Sequence, residues 1–145
     1  ANKYVSGEQK QIAEAIVSSV GSSIWVKDEK LIDTVTAISG SGPAYYFLFM
    51  EIFEKTAIEM GLNKEQAEVL VKQTALGAAN MAIKSKDTVD ILRNNVTSPG
   101  GTTEAAIKSM LEDNIETVIK TALLKAKQRS EELSKLFGEQ NNDEE

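Results

Sequence analysis

Val96-Thr97-Ser98-Pro99-Gly100-Gly101-Thr102-Thr103-Glu104 is the stretch from which the rest of the chain is read. Val89, Ile91, Leu92 and Val96 lead into it at helical spacing, and Ala105, Ala106, Ile107, Met110 and Leu111 lead out of it in the same way. It is a loop that turns over two glycines and feeds a helix N-terminus. Backbone N–H groups there lack intrahelical acceptors, the macrodipole is positive, and glycines let backbone approach a ligand closely. The pattern suits a phosphate or a carboxylate.

Working back toward the N-terminus, Ser6 and Gln9 make a capping-box pattern ahead of Ile12, Ala13, Ile16, Val17 and Val20, which predicts a first helix ending at Gly21. Ser22 to Lys27 reads as an extended connector that buries Trp25. Asp28 is placed to cap a short helix carrying Leu31, Ile32, Val35 and Ile38, ending at Ser39-Gly40-Ser41-Gly42. Pro43 then suits the first turn of a long helix that runs to Gly61. Ala44 to Met50 leaves that helix no polar face, so it should be wrapped by other helices, some of them from a second copy.

Asn63 and Gln66 form another capping box. In the helix that follows, Gly77 lies among small residues and is expected to let another backbone come near, since mid-helix glycine costs about 1 kcal/mol relative to alanine. Beyond the Gly-Gly loop, Asn114 is placed to cap a last helix whose stripe runs through Ile115, Val118, Ile119, Ala122, Leu123 and Ala126 to Leu133 and Leu136. Gly138 should end the order, leaving one helical domain over 1–138 and a polar, disordered tail over 139–145.

Composition excludes several function classes. The chain of 145 residues is long enough for one compact domain, and its net charge of −6 opposes general affinity for nucleic acid or anionic membrane. Neither nucleic acid nor a membrane is expected as a partner. With no cysteine and no histidine, thiol chemistry, the usual zinc ligand sets and a Ser-His-Asp arrangement are absent, and no metal site is expected. No apolar run is long enough to span a bilayer and no signal peptide is visible, so a cytoplasmic location is expected. The start at Ala1, in ordinary polar sequence, suggests a piece of something longer.

Three motifs stand in order: Asp33-Thr34-Val35-Thr36-Ala37-Ile38-Ser39-Gly40-Ser41-Gly42-Pro43-Ala44-Tyr45, Gln73-Thr74-Ala75-Leu76-Gly77-Ala78-Ala79, and Val96-Thr97-Ser98-Pro99-Gly100-Gly101-Thr102-Thr103. Together they resemble the C-terminal domain of pyrroline-5-carboxylate reductase, and the likeness runs from about Val5 to Leu136. The resemblance implies an all-α multi-helix bundle that forms an interlocked homodimer. It also implies the reduction of 1-pyrroline-5-carboxylate to L-proline with NADPH or NADH in proline biosynthesis. The cofactor, NADP or NAD, would be bound mainly by an N-terminal Rossmann domain. No G-x-G-x-x-G after a strand occurs here, so the chain alone is expected to bind the dinucleotide weakly and to be inactive.

By the same resemblance, the amides of Gly100, Gly101, Thr102 and Thr103 hold the substrate carboxylate, and the Thr103 hydroxyl, the catalytic candidate, reaches the ring nitrogen. Ser98 shapes the turn or adds a hydroxyl. Thr36 would be near the substrate, with Ser39, Gly40, Ser41 and Gly42 near the substrate or the nicotinamide. Such chemistry needs no nucleophile, only a positioned ring, a held carboxylate and a hydrogen-bonded nitrogen. The alternative reading is a non-catalytic helical oligomerisation module in which both glycine loops serve packing alone.

Overall fold

A computed structural model describes residues 1–140, and among them every regular element is helical. In chain order these are α1 (Gly7–Ser18), α2 (Leu31–Val35), a π-helical turn (Thr36–Gly40), α3 (Gly42–Glu59), α4 (Lys64–Lys84), α5 (Val89–Asn95), α6 (Thr102–Glu112) and α7 (Ile115–Gln140). The all-α bundle expected from the periodicity is what the chain forms.

Local chemistry sets most of the helix ends. Ser6 Oγ accepts from the Gln9 amide at 3.2 Å while Gln9 Oε1 accepts from the Ser6 amide at 2.9 Å, so two of the orphan donors around the start of α1 are satisfied reciprocally. Asn63 and Gln66 repeat the device at the start of α4. Pro43 sits in the first turn of α3, as its missing N–H requires. At the other end of α3, Gly61 takes φ +106°; its amide donates to Ile58 and that of Leu62 to Ala57, the paired bonds of a Schellman ending.

Three helix ends differ from the sequence reading. Asp28 Oδ1 accepts from the Lys30 amide and its carbonyl from the Leu31 amide, so Asp28 opens the turn before α2, and the N-cap position falls to Lys30. Asn114 adopts φ 59°; its carbonyl accepts from Thr117 and Val118, but its side chain donates back to the Glu112 carbonyl. It therefore joins two helices through the left-handed region that asparagine tolerates. Helix α7 continues through Gly138 to Gln140, because one glycine in a strong helical context weakens a helix without ending it. Of the expected 139–145 tail, residues 141–145 lie outside the described residues.

Packing is sparse within the protomer. Helix α3 lies along α4, while α2, the π turn and α7 form a second group that α3 touches through the π turn; α6 rests on α7. Among the described residues the buried apolar ones are Ala37 and Ala67, and no large side chain is fully buried. Tyr46, Phe47, Leu48, Phe49, Ile52 and Phe53 of α3 are all exposed. The helix expected to be wrapped on every side is wrapped by this chain on one side only. Gly77 likewise has open space around it, with nothing within 4 Å of a Cβ placed there, so no backbone of this protomer takes up the approach it permits. Trp25, expected to be buried by its connector, is 42% exposed.

Candidate functional site

The Ser98–Thr103 loop is built by its own turn chemistry. The Gly101 amide donates to the Ser98 carbonyl at 3.0 Å, with Pro99 second in the turn and Gly100 third at φ +71°. This is the arrangement of a type II turn, where proline sets the first central φ and glycine occupies the left-handed position at no steric cost. Gly101 is required for a different reason: a Cβ there would lie 2.9 Å from the Ser98 carbonyl oxygen. On the upstream side, Thr97 Oγ1 donates to the Arg93 carbonyl at 2.7 Å, and its amide donates to Asn94, tying the loop to the end of α5.

Downstream, Gly101 is the N-cap of α6 and its carbonyl accepts from Ala105. The Gly100 amide donates to Glu104 Oε2 at 2.7 Å. A carboxylate of the chain thus already sits on one of the donors that the loop offers. Gly100 and Gly101, two of the four amides named from the sequence, have acceptors within the protein. Those of Thr102, Thr103 and Glu104 have none among the described residues, as the first turn of a helix leaves them. Glu104 was not singled out beforehand, though an acid three residues after the N-cap is a capping signal that could have found it.

An open cleft of about 760 Å³ runs from Thr97, Gly100 and Gly101 along Glu104 and Lys108 of α6 to Leu111. Ser98, Thr102 and Thr103 are not part of its lining. Thr103 is half-buried, on the side of α6 shared with Ile107 and Met110; Ser98 and Thr102 are exposed. The cleft therefore holds the glycine end of the loop, while the free amides lie at its helical end.

The second glycine segment has a distinct geometry. The Ser41 amide donates to the Thr36 carbonyl at 2.9 Å, the five-residue step of a π turn, and Ser39 Oγ donates to the Val35 carbonyl at 2.9 Å. Such turns re-aim side chains within a helix and recur at functional sites. Here the turn buries Ala37 and Gly42 and leaves Thr36, Ser39 and Gly40 exposed, with Ser41 half-buried. None of the residues 36–42 lines the cleft at the loop. Thr34, Ala37 and Ile38 instead line a separate groove, of about 490 Å³, against Ile119, Leu123 and Lys127 of α7. Ala37 and Ile38 of the π turn thus face a groove apart from the loop's cleft, and Thr36, Ser39, Gly40, Ser41 and Gly42 line neither. No cluster of acidic side chains suited to a metal ion occurs among the described residues, and no described helix is long and apolar enough to cross a membrane.

A family model described as pyrroline-5-carboxylate reductase dimerisation matches residues 29–133. The chain is 48% identical, over 139 residues, to a pyrroline-5-carboxylate reductase of Pseudomonas aeruginosa, covering 96% of this chain and 51% of that protein. It is also 40% identical to one from Arabidopsis thaliana, over 88% of this chain and 46% of the relative. Among solved structures it is similar to the reductase of Coxiella burnetii, with a TM-score of 0.88 and 49% identity over 92% of this chain and 49% of the other. The Plasmodium falciparum enzyme with NADP bound matches with a TM-score of 0.80 and 35% identity, over 90% and 53% of the two chains. The chain spans about half the length of the curated relatives it matches.

Proposed function

The chain belongs to the pyrroline-5-carboxylate reductase dimerisation family, and from that premise we propose that it is the subunit-joining and acid-holding half of an enzyme that reduces 1-pyrroline-5-carboxylate to L-proline. The observation that carries this reading is the first turn of α6. The amides of Thr102 and Thr103 are unpaired beside a cleft in a chain of net negative charge, where an anion has to be caught by local donors. The substrate carboxylate is held by those two amides, joined by Gly100 when the Glu104 carboxylate turns away. The Thr103 hydroxyl serves the ring nitrogen.

The protein forms a homodimer through α3 and α4. Burying each of the large side chains exposed on α3 contributes about 1.5–3 kcal/mol, a gain that the protomer alone leaves unrealised. A second copy also brings the Thr36 and Ser39–Gly42 segment toward the loop, whose cleft none of these residues lines within one protomer. The nicotinamide cofactor, NADP or NAD, does not fit this chain by itself. Among the described residues there is no strand to present a glycine-rich phosphate loop, so its binding belongs to the half of the relatives' length that this chain does not span.

Mass measurement of the chain in solution, followed by titration with L-proline, tests both parts. A dimer that binds the ligand weakly is the expected result; a monomer would remove the joining role, and a dimer without binding would remove the loop from the site. The exposed apolar faces also suit a non-catalytic oligomerisation module. Restoring reductase activity by adding the other half as a separate polypeptide would exclude that second reading.

A further inference from the structure

Glu104, Lys108 and Glu112 stand four residues apart along α6, and all three line the cleft at the loop together with Gly100. On a helix surface an acid four residues ahead of a base is the favoured order, because it also suits the helix dipole. The chain shows that preference elsewhere. Glu51 pairs with Lys55 at 2.7 Å, and Glu68, placed between two lysines, lies 3.3 Å from Lys72 and 3.8 Å from Lys64. Lys108 does the opposite: its ammonium lies 3.8 Å from Glu112, in the reverse order, although Glu104 stands one turn before it.

The reason lies on the other side of the Glu104 carboxylate. Its Oε2 accepts from the Gly100 amide at 2.7 Å, a short bond strengthened by the negative charge. Two partners therefore compete for one side chain. Glu104 and Lys108 are both exposed, so rotation about side-chain bonds carries the carboxylate from the amide to the ammonium with no movement of the backbone.

We infer that Glu104 is a two-position carboxylate that regulates the acid site of this loop. It occupies the Gly100 amide while the site is empty and swings to the Lys108 ammonium when a ligand carboxylate arrives. The inference rests on the acid-holding role proposed above and states what sets its affinity. An arriving acid takes over a donor that the chain covers with a carboxylate of its own, so the amide has an acceptor in both states and the turn keeps its shape between ligands. Affinity is lowered in return, because only the fraction of molecules with Glu104 turned away offers Gly100 to a ligand. Lys108 raises that fraction by giving the displaced carboxylate a place to rest. Both are positioning residues, acting on the amide rather than on the ligand ring.

Calorimetric titration of the 145-residue chain with L-proline tests it in four forms: unaltered, Glu104→Gln, Lys108→Met, and both together. Glu104→Gln keeps the shape and removes the charge, and it is expected to tighten binding by about fivefold. Lys108→Met is expected to weaken binding by about twofold in the unaltered background and to have no effect beside Glu104→Gln. Equal or weaker binding by Glu104→Gln, with dimer mass and helical signal retained, would make Glu104 a brace of the loop and overturn the inference. A Lys108→Met loss of the same size in both backgrounds would mean that Lys108 meets the ligand itself, and no loss in either would remove its role; each overturns the switch. Nuclear magnetic resonance of the unaltered chain adds a signature that a brace would not give. On addition of proline the Glu104 carboxylate carbon signal moves, while the Gly100 amide proton, passing from one carboxylate to another, stays downfield; a Glu104 signal that stays in place would overturn the proposal. Absence of binding in all four forms removes the acid site itself, and the inference with it, whereas the outcomes above leave that site standing.

Discussion

The Ser130 hydroxyl donates to the Asp33 carboxylate at 2.7 Å across 97 positions of sequence. It closes the middle of α7 onto α2, three residues before Thr36 opens the π turn. Lys127, one turn away on α7, feels the same carboxylate: its ammonium is held above its ordinary range first by the Glu131 carboxylate that accepts its hydrogen bond, and to a smaller degree by Asp33.

Ser130→Ala leaves the partly buried Asp33 carboxylate without its hydroxyl donor. A loss of about 1 kcal/mol is expected, lowering the melting temperature by about 4 °C. Calorimetry of the dimer checks it. An unchanged melting temperature would mean that water replaces the hydroxyl without cost.

Gly101→Ala drives a methyl to within 2.9 Å of the Ser98 carbonyl, a backbone atom that cannot rotate aside. The turn must open, and the amides at the head of α6 move with it. Proline affinity is expected to fall by at least about tenfold, or 1.4 kcal/mol, with dimer mass and helical signal retained. Calorimetric titration against the unaltered chain decides the matter; equal affinity would place the ligand away from this loop.

Phe47→Asp puts a charge on the exposed apolar side of α3. Since each protomer loses an apolar contact and buries an unpaired carboxylate, the dimer dissociation constant is expected to rise by about 100-fold, or 2.7 kcal/mol. Sedimentation at several concentrations measures it. No change would move the subunit contact off this side of α3.

Asp90, in the first turn of α5, is held below its ordinary value of 3.8, first by the Thr88 hydroxyl and then by its own backbone amide, with smaller help from the Ile91 amide and the Arg93 charge. A carboxylate whose folded pKa is depressed stabilises the fold above its unfolded pKa, and that contribution disappears as pH falls through the folded value. Acidification from about pH 6 to about pH 3 is therefore expected to fray the start of α5, the helix that delivers Thr97 to the loop. Amide exchange at Ile91 and Leu92 reports it, and Asp90→Asn should flatten the response. A pH step of equal size in the variant would assign it to another group.

The readable parts of this fold are those whose partners lie within a few residues. Ser6 with Gln9, Asn63 with Gln66, Pro43 in a first helical turn, and the Ser98-Pro99-Gly100-Gly101 turn all form as their residue types dictate. Capping and turn bonds close over three or four positions, so the residues that make them are neighbours before any folding occurs. The acid on the Gly100 amide is equally local, yet an anion-binding loop and a self-capped one share the same glycines, and only the 2.7 Å contact from Glu104 shows which donors are left free.

What the sequence by itself determined is the kind of fold, the order of its helices and the loop on which an acid is proposed to rest. The tertiary structure alone decided that Thr36 lies outside the cleft at that loop, that Gly77 and the outer side of α3 face open space, and that α1 packs outside the core. Helix periodicity states that a face must be covered, but the covering surface lies far along the chain or on another molecule, and no local pattern of residues encodes which.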